Sequence, residues 1–414
     1  MKYYPILEGN KKKTGFLLFL FVQLLLCRDT LISSCLVGFL PSQVTAAILI
    51  CVMGISFLIK SRSHLKEILE DKRILVFVAT GAIMLLPLVV KMDLQAMYFS
   101  ILLCIFFAVF LTYFVTLKEV AKYYVLIITL LAVYSVFAVY LGRIPVDRGI
   151  ISIHTFSNAG GRGFYNFLLS FVSISQVRFR NFGIFREPGV YQFFLITALI
   201  LNTYTIQWDR AWKYWCIQVL LVLTTLTTFS TNGVVEVCLF LLVIFFDKKL
   251  YRDKRICVAA IGMIALAAAI VAVILMRGGD LAFTLKQMLA KLYTLNRSSS
   301  ARLNAIVTDA KYFLRNPLFG EKISVVLGAL EFNTTSTMLM FAMFGIGGGM
   351  LHLVSWLALI WSRDRKRWVN MALILIVLLS FNTQNLTTNL FFWLFPVMAL
   401  TERVVPILNI KTRK

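Results

Sequence analysis

Acidic residues are scarce in this chain: 19 Asp and Glu stand against 42 Lys and Arg among 414 residues, and charged residues of all kinds make up only 15%. A soluble domain of this length covers its surface with about 25% charged residues, so a soluble fold is excluded. No Pro/Ser-rich linker or low-complexity block divides the chain, and a single transmembrane domain over 1–414 is expected. The seven cysteines, Cys27, Cys35, Cys51, Cys104, Cys216, Cys238 and Cys257, form no CxxC and no cluster with the three histidines. They read as small buried apolar residues rather than a disulfide framework or a zinc site. No acidic pair has cation-ligand spacing, and the Walker and dinucleotide glycine patterns are missing. No metal, cofactor or nucleic-acid partner is expected.

What the chain does have is hydrocarbon. Apolar residues make up 60% of it and fall in long runs. About 20 apolar residues in a helix match the bilayer core, and a helix satisfies its own backbone groups there. The fold class expected is all-α, a polytopic transmembrane bundle of about twelve spans. They lie near 15–37, 43–59, 74–90, 97–115, 123–142, 189–207, 213–230, 233–247, 256–276, 337–361, 369–383 and 389–402. The first follows Lys11, Lys12 and Lys13 and ends at Leu26-Cys27-Arg28 without small residues for cleavage, so it reads as an uncleaved span. Most basic residues fall in alternate short loops, including Lys248, Lys249, Arg252 and Arg363 to Arg367. The positive-inside rule therefore places both termini in the cytoplasm.

Two segments are too long for hairpins, 143–188 and 277–336, and both fall on the outer side. Basic residues outnumber acidic ones in each. That suits headgroup contact at the membrane surface, or a vestibule for an anionic substrate, because arginine presents a planar fork of donors to phosphate. Leu281, Leu285, Met288, Leu289, Leu292 and Leu295 recur at helical spacing in the second loop. A further helix is expected from Ser299 or Ser300 to just before Pro317, with Leu303, Ile306, Val307, Ala310, Phe313 and Leu314 on one face. Arg302 and Asp309 fall on its other face. It reads as a lid or as an inert interfacial helix.

Four polar constellations could carry chemistry. Phe185-Arg186-Glu187-Pro188-Gly189-Val190-Tyr191 ends the first loop, and its proline suits a helix start. Arg186 and Glu187 then sit at the positive end of a helix dipole, which attracts anions. A second Arg-Xaa-Pro, Arg315-Asn316-Pro317, is followed by Gly320 in the other loop, and the two suggest paired jaws. Ser230-Thr231-Asn232-Gly233 makes a polar break with Glu236 one turn deeper. Such a carboxylate marks function or a buried partner, and an arginine from the loops is one candidate partner. Asn333-Thr334-Thr335-Ser336 and Asn382-Thr383-Gln384-Asn385 lead into or between spans, fit to bind sugar hydroxyls or to cap helices. Asn296, Asn333 and Asn385 also fit the short N-x-[ST] pattern. His64 is cytoplasmic, His352 reads as packing, and His154 lies outside.

These residues, in this order, resemble Wzy-type O-antigen polymerases and, more distantly, O-antigen ligases. Phe185-Arg186-Glu187-Pro188-Gly189 looks like the motif opening the span after the first large loop. Leu226 to Gly233 looks like the Thr/Ser-rich segment ending in STTG. Arg302 with Arg315-Asn316-Pro317-Leu318-Phe319-Gly320 resembles the R…NPxxG stretch. Asn333-Thr334-Thr335 takes the place of the ligase His-Asn-Ser triplet, but Phe332 precedes it where the ligase histidine would stand. That departure tilts the reading toward a polymerase.

The resemblance implies a metal-independent membrane glycosyltransferase of the bacterial inner membrane. It would transfer an undecaprenyl-diphosphate-linked glycan onto a lipid-linked repeat unit, with a chain-length regulator as a further partner. Arg186, Arg302 and Arg315 would stabilise charge developing on the diphosphate, with Arg178 and Arg180 docking it. Glu187 is the candidate base or orienting group. Tyr191, Asn232, Glu236 and Asn333 would contact substrate. The alternatives are a lipid-linked oligosaccharide flippase and an O-antigen ligase.

Overall fold

The structure is a computed structural model of the 414-residue chain. It describes residues 10–27, 30–32, 48, 50–52, 54, 55, 59, 62, 65–157, 162–175, 179–293, 297–330, 333–382 and 384–411. It is 75% helical. The helices are α1 (Asn10–Leu25), α2 (Leu65–Glu70), α3 (Arg73–Lys91), α4 (Ala96–Leu111) and α5 (Leu117–Phe137). The last runs through a π-helical turn, Ala138–Gly142, into α6 (Arg143–Asp147). After three short strands come α7 (Pro188–Tyr204), α8 (Ala211–Thr227), α9 (Thr231–Asp247) and α10 (Lys254–Arg277). Then follow α11 (Gly279–Tyr293), α12 (Arg297–Arg315), α13 (Ile323–Gly328), α14 (Thr337–Ile360), α15 (Arg367–Phe381) and α16 (Leu390–Lys411).

Among the described residues, five helical stretches are long and apolar enough to cross a membrane: Arg73–Lys91, Leu117–Asp147, Cys257–Arg277, Thr337–Ile360 and Leu390–Ile407. These mark a membrane protein. Thr14–Leu25, Ala96–Leu111 and Arg367–Phe381 are apolar but shorter. Helices α7, α8 and α9 have 17 residues each, about 25 Å at 1.5 Å per residue, just short of a hydrocarbon core of about 30 Å. Of the twelve expected spans, five coincide with stretches of full length among the described residues, and the expected span 43–59 lies largely outside those residues. Arg178 and Cys35 also lie outside them.

The chain folds as two compact units. The first comprises 1–124, 300–361 and 381–414, and α3, α4, α14 and α16 form its core. The Tyr124 ring lies 4.7 Å from that of Phe395, and His352, fully buried, stacks on Phe392 at 4.8 Å. His352 is a packing residue, as its apolar surroundings in the sequence imply. Arg73 is buried too, and is neutralised in place: it pairs with Asp71 at 2.9 Å and donates to the Thr112 carbonyl at 2.6 Å. A buried charge without such partners would cost several kcal/mol, on the order of 3–5.

The second unit comprises 125–299 and 362–380. Here strands appear beside the expected all-α bundle. The first loop holds a three-stranded antiparallel sheet in the order β1 (Thr155–Ser157), β2 (Gly163–Asn166), β3 (Phe171–Ser173). Phe156 pairs with Phe164, and Tyr165 with Val172. Aromatic and β-branched residues at two-residue spacing fit a pleated, half-buried surface, and the sheet docks Val172 against Ala138 and Val139 of the π-turn.

The second loop is helical, and α12 ends at Arg315, two residues before Pro317. Ala305 and Asp309 are buried, whereas Leu303, Val307 and Leu314 are exposed. Asp309 turns inward to the donors that meet it, and Phe313, whose ring lies 5.2 Å from that of Phe341, turns inward beside it, so the apolar face is split between a covered edge and an exposed one.

The cysteines divide as well. Cys27 and Cys104 are buried, Cys257 is half-buried, and Cys51, Cys216 and Cys238 sit on exposed faces. In a membrane protein an exposed apolar face is compatible with lipid, so burial inside the protein is not what every cysteine achieves.

Candidate functional site

The second unit places Arg186 and Glu187 at a helix start. Glu187 is the extended residue before α7 (φ −145°, ψ 147°), and Pro188 is the first helical residue. Proline belongs there because the first-turn N–H has no intrahelical acceptor anyway. Arg186 is half-buried and Glu187 exposed. Arg180 donates from Nε to the Thr228 carbonyl at 3.3 Å, and Asn181 Nδ2 reaches Ser135 Oγ at 3.0 Å and Thr227 Oγ1 at 3.1 Å. The loop approaching α7 is thus tied to the end of α8. Tyr191 is fully buried, stacked on Phe185, and its hydroxyl meets Ser135 Oγ at 3.1 Å. Its ring also accounts for Gly183, where a Cβ would stand 2.8 Å from Tyr191 Cε1 and φ is +53°.

Glu236 lies one turn into α9 and is fully buried. Gln192 Nε2 donates to it at 2.7 Å and Ser380 Oγ at 3.1 Å, and Asn232 Nδ2 donates to its other oxygen. Ser230 Oγ in turn donates to Gln192 Oε1 at 2.6 Å. The arginine considered as a partner for Glu236 does not appear among its hydrogen bonds; amides and a hydroxyl take that place. Gly233 makes the approach possible, since a Cβ there would lie 2.9 Å from Gln192 Cγ. One polar network therefore spans α7, α9 and α15.

The first unit holds Arg302, Arg315 and Asn333, and it joins Asn333 to Asp309. Asn333 Nδ2 donates to both oxygens of Asp309, at 2.8 and 3.1 Å, and Thr335 Oγ1 donates at 2.5 Å. Asn333 Oδ1 accepts from the Thr335 N–H at 2.9 Å. Burial pushes the Asp309 carboxyl up to about 6, more strongly than the Thr335 and Asn333 hydrogen bonds pull it down. Arg302 is half-buried two turns before Asp309 on the same face, and Arg315 is exposed.

Just beyond Arg315 the chain enters a break in a membrane-length helix. Gly345 has non-helical angles (φ 63°, ψ −160°) in the middle of α14. Asn316 to Ile323 threads past the break. The Ile346 N–H donates to the Pro317 carbonyl and the Glu321 N–H to the Ala342 carbonyl, both at 2.8 Å. Lys91, at the end of α3, donates to the Glu321 carbonyl at 2.9 Å and the Met343 carbonyl at 2.5 Å. Asp93 accepts the Ile323 N–H at 2.6 Å. Irregular backbone at membrane depth persists only where protein groups satisfy it, and here the loop and Lys91 supply those groups.

Of the residues singled out from sequence, the structure joins Asn232 with Glu236 directly and ties Asn333 to Asp309. Arg180, Arg186, Glu187, Tyr191, Asn232 and Glu236 belong to the second unit; Arg302, Arg315 and Asn333 belong to the first. Asp309, Gln192 and Ser380 were not among the site candidates. A lone carboxylate on an amphipathic helix was the only signal for Asp309; Gln192 and Ser380, inside apolar runs, gave less still. Among the described residues no three His, Cys, Asp or Glu side chains group as metal ligands. No family model, curated protein or solved structure matches the chain. Any family reading therefore rests on the motifs alone.

Proposed function

We propose that this chain is a membrane-embedded, metal-independent glycosyltransferase of the polymerase type, acting on undecaprenyl-diphosphate-linked glycans at the outer face of a bacterial inner membrane. The motif order carries the reading: FREPG, then STNG, then R…NPxxG, each at a junction where helical backbone starts or breaks. In the reaction an acceptor hydroxyl oxygen attacks the anomeric carbon of the donor sugar. The bond from that carbon to the diphosphate breaks, and the diphosphate leaves with the electron pair. The hydroxyl proton passes to a base, for which Glu187 is the candidate. Arg186, Arg302 and Arg315 are assigned to charge stabilisation on the leaving group, a role in which removing one donor costs about 100-fold or more in rate. Arg180 docks the diphosphate; Tyr191, Asn232, Glu236 and Asn333 support the substrate sites.

The test is polymerisation by the purified chain with a defined lipid-linked repeat, with and without chelator. Long glycan in both conditions supports the proposal. A strict divalent requirement, or unextended repeats in both, defeats it.

Two observations favour a second reading, a lipid-linked oligosaccharide transporter. A broken helix and a buried carboxylate within a span are features that transporters use to bind and move cargo; here they are Gly345 in α14 and Glu236 in α9. Gene deletion separates the two. Loss of a polymerase leaves lipid A core capped with a single repeat, whereas loss of a transporter leaves no exported repeat.

A further inference from the structure

We propose that the second unit binds the phosphate head of an anionic phospholipid in a cavity of about 330 Å³ lined by Phe246, Tyr251, Lys366 and Trp368. The inference rests on the reading of the chain as a membrane protein and is independent of the glycan chemistry. Phe246 is the penultimate residue of α9, Tyr251 lies in the short 3₁₀ turn Leu250–Arg252, and Lys366 and Trp368 flank the first residue of α15. The Phe246 ring lies 5.9 Å from Tyr251 and 6.4 Å from Trp368, the latter edge-on at 82°. All three rings remain partly exposed. The result is an aromatic pit, open on one side, with one ammonium in its wall.

The surroundings select the ligand's charge. Lys248, Lys249 and Arg252 neighbour the Phe246 and Tyr251 positions in sequence, and Arg365 and Arg367 flank Lys366, against Asp247, Asp253 and Asp364. Such an excess of basic residues concentrates anions, and a lysine meets phosphate as a compact point charge. The lysine's platform is braced. Asn370 Nδ2 donates to the Ser362 carbonyl at 2.8 Å, the Ser362 N–H donates back to Asn370 Oδ1 at 3.3 Å, and Arg365 stacks over Tyr204 at 4.1 Å. Arg365 is thus engaged beside the pit, while Lys366 makes no ion pair among the described residues. A braced loop loses less entropy on binding.

The apolar neighbours select a lipid over a free anion. Trp368, Met371 and Leu375 recur at three- and four-residue spacing along α15 and are all exposed, as are Leu242 and Phe246 on α9. These are tracks along which acyl chains can lie beneath a headgroup. Aromatic side chains at span ends commonly occupy that headgroup level, and basic pockets between spans take anionic heads.

The experiment uses the full-length protein in neutral detergent, with native mass spectrometry to count retained phosphatidylglycerol against phosphatidylcholine. The wild type is expected to retain phosphatidylglycerol preferentially. Lys366→Ala and Trp368→Ala each weaken retention about tenfold, a change of about 1.4 kcal/mol, while Lys118→Ala, at an exposed lysine outside the pit, leaves it unchanged. Excess inorganic phosphate is expected not to displace the lipid; displacement would show a site for free phosphate and overturn the proposal. Equal retention by wild type and Lys366→Ala, or an equal loss in Lys118→Ala, also overturns it. A photoactivatable phosphatidylglycerol on the wild type gives a reading that needs no variant. Labelling of peptides around 246–251 and 366–371 supports the site, and labelling elsewhere only rejects it. Neither measurement depends on glycan synthesis.

Discussion

A Cβ at Gly345 would lie 2.2 Å from the carbonyl oxygen of Leu318, and one at Gly320 would lie 2.6 Å from that of Ala342. The two glycines, with φ of +63° and +69°, let loop and broken helix pass backbone against backbone. Both the positive φ and the close approach require glycine. Gly345→Ala and Gly320→Ala are expected to destabilise by about 3 kcal/mol or more, since each adds strain and forces the junction apart. Gly328→Ala, where nothing lies within 4 Å, should stay within about 0.5 kcal/mol of wild type. Thermal unfolding in detergent provides the comparison, and equal stability for Gly345→Ala and Gly328→Ala would show that the break does not need its glycine.

The Asp309 carboxyl should make the first unit more stable in mild acid. Its folded pKa of about 6 lies above the ordinary value, so the folded state holds the proton more tightly than the unfolded one. That contribution is complete below about pH 4, the unfolded aspartate value, and is lost as pH rises through about 6. The gap between the two values is worth about 3 kcal/mol at most. Unfolding temperatures followed from pH 7.5 down to pH 5 should rise more for wild type than for Asp309→Asn. Parallel curves would mean that burial does not perturb Asp309.

Arg186→Lys should lose at least about tenfold in polymerising activity although the positive charge is kept. A guanidinium offers a planar fork to a diphosphate, whereas an ammonium offers one point. Arg186 sits half-buried one residue before the Glu187 cap of α7. Glycan length on a lipid-linked acceptor reports the outcome, and wild-type chain lengths in Arg186→Lys would remove diphosphate binding from this residue.

Much of this architecture is legible from hydropathy and punctuation. The start of α7 follows from Pro188, the end of α12 from Pro317, and most of the described helices coincide with apolar runs, because lipid leaves the backbone few alternatives. The sheet in the first loop escapes a sequence reading because strands of three or four residues are too short for alternation to register. The glycine cluster Gly345 to Gly349 marks the region of the break, but its partners come from Pro317 and Glu321, more than 20 residues off in sequence. The facing of α12 is not legible for a related reason. Periodicity identifies two faces but does not say which is covered, and the Asn333 and Thr335 donors that turn Asp309 inward lie more than 20 residues away.

The outward side of α12 yields the last expectation, which concerns what covers its exposed apolar stripe. Leu303, Val307 and Leu314 are 51%, 50% and 71% exposed, and Lys311 and Arg315 border the stripe on the helix surface. A stripe of this kind beside long cationic side chains lies in the lipid interface, with the charged ends reaching to water. The C-terminal end of α12 runs straight into the break in α14 through Pro317 and Gly320, which holds it at the level of a membrane-length helix. Spin labels on single cysteines, introduced after the native ones are replaced and studied in bilayers, should therefore report oxygen exposure at 303, 307 and 314. Labels at 304 and 311 should respond instead to a water-soluble nickel reagent. Nickel contact along the whole helix would place the stripe in water and leave its exposed leucines without a physical reason.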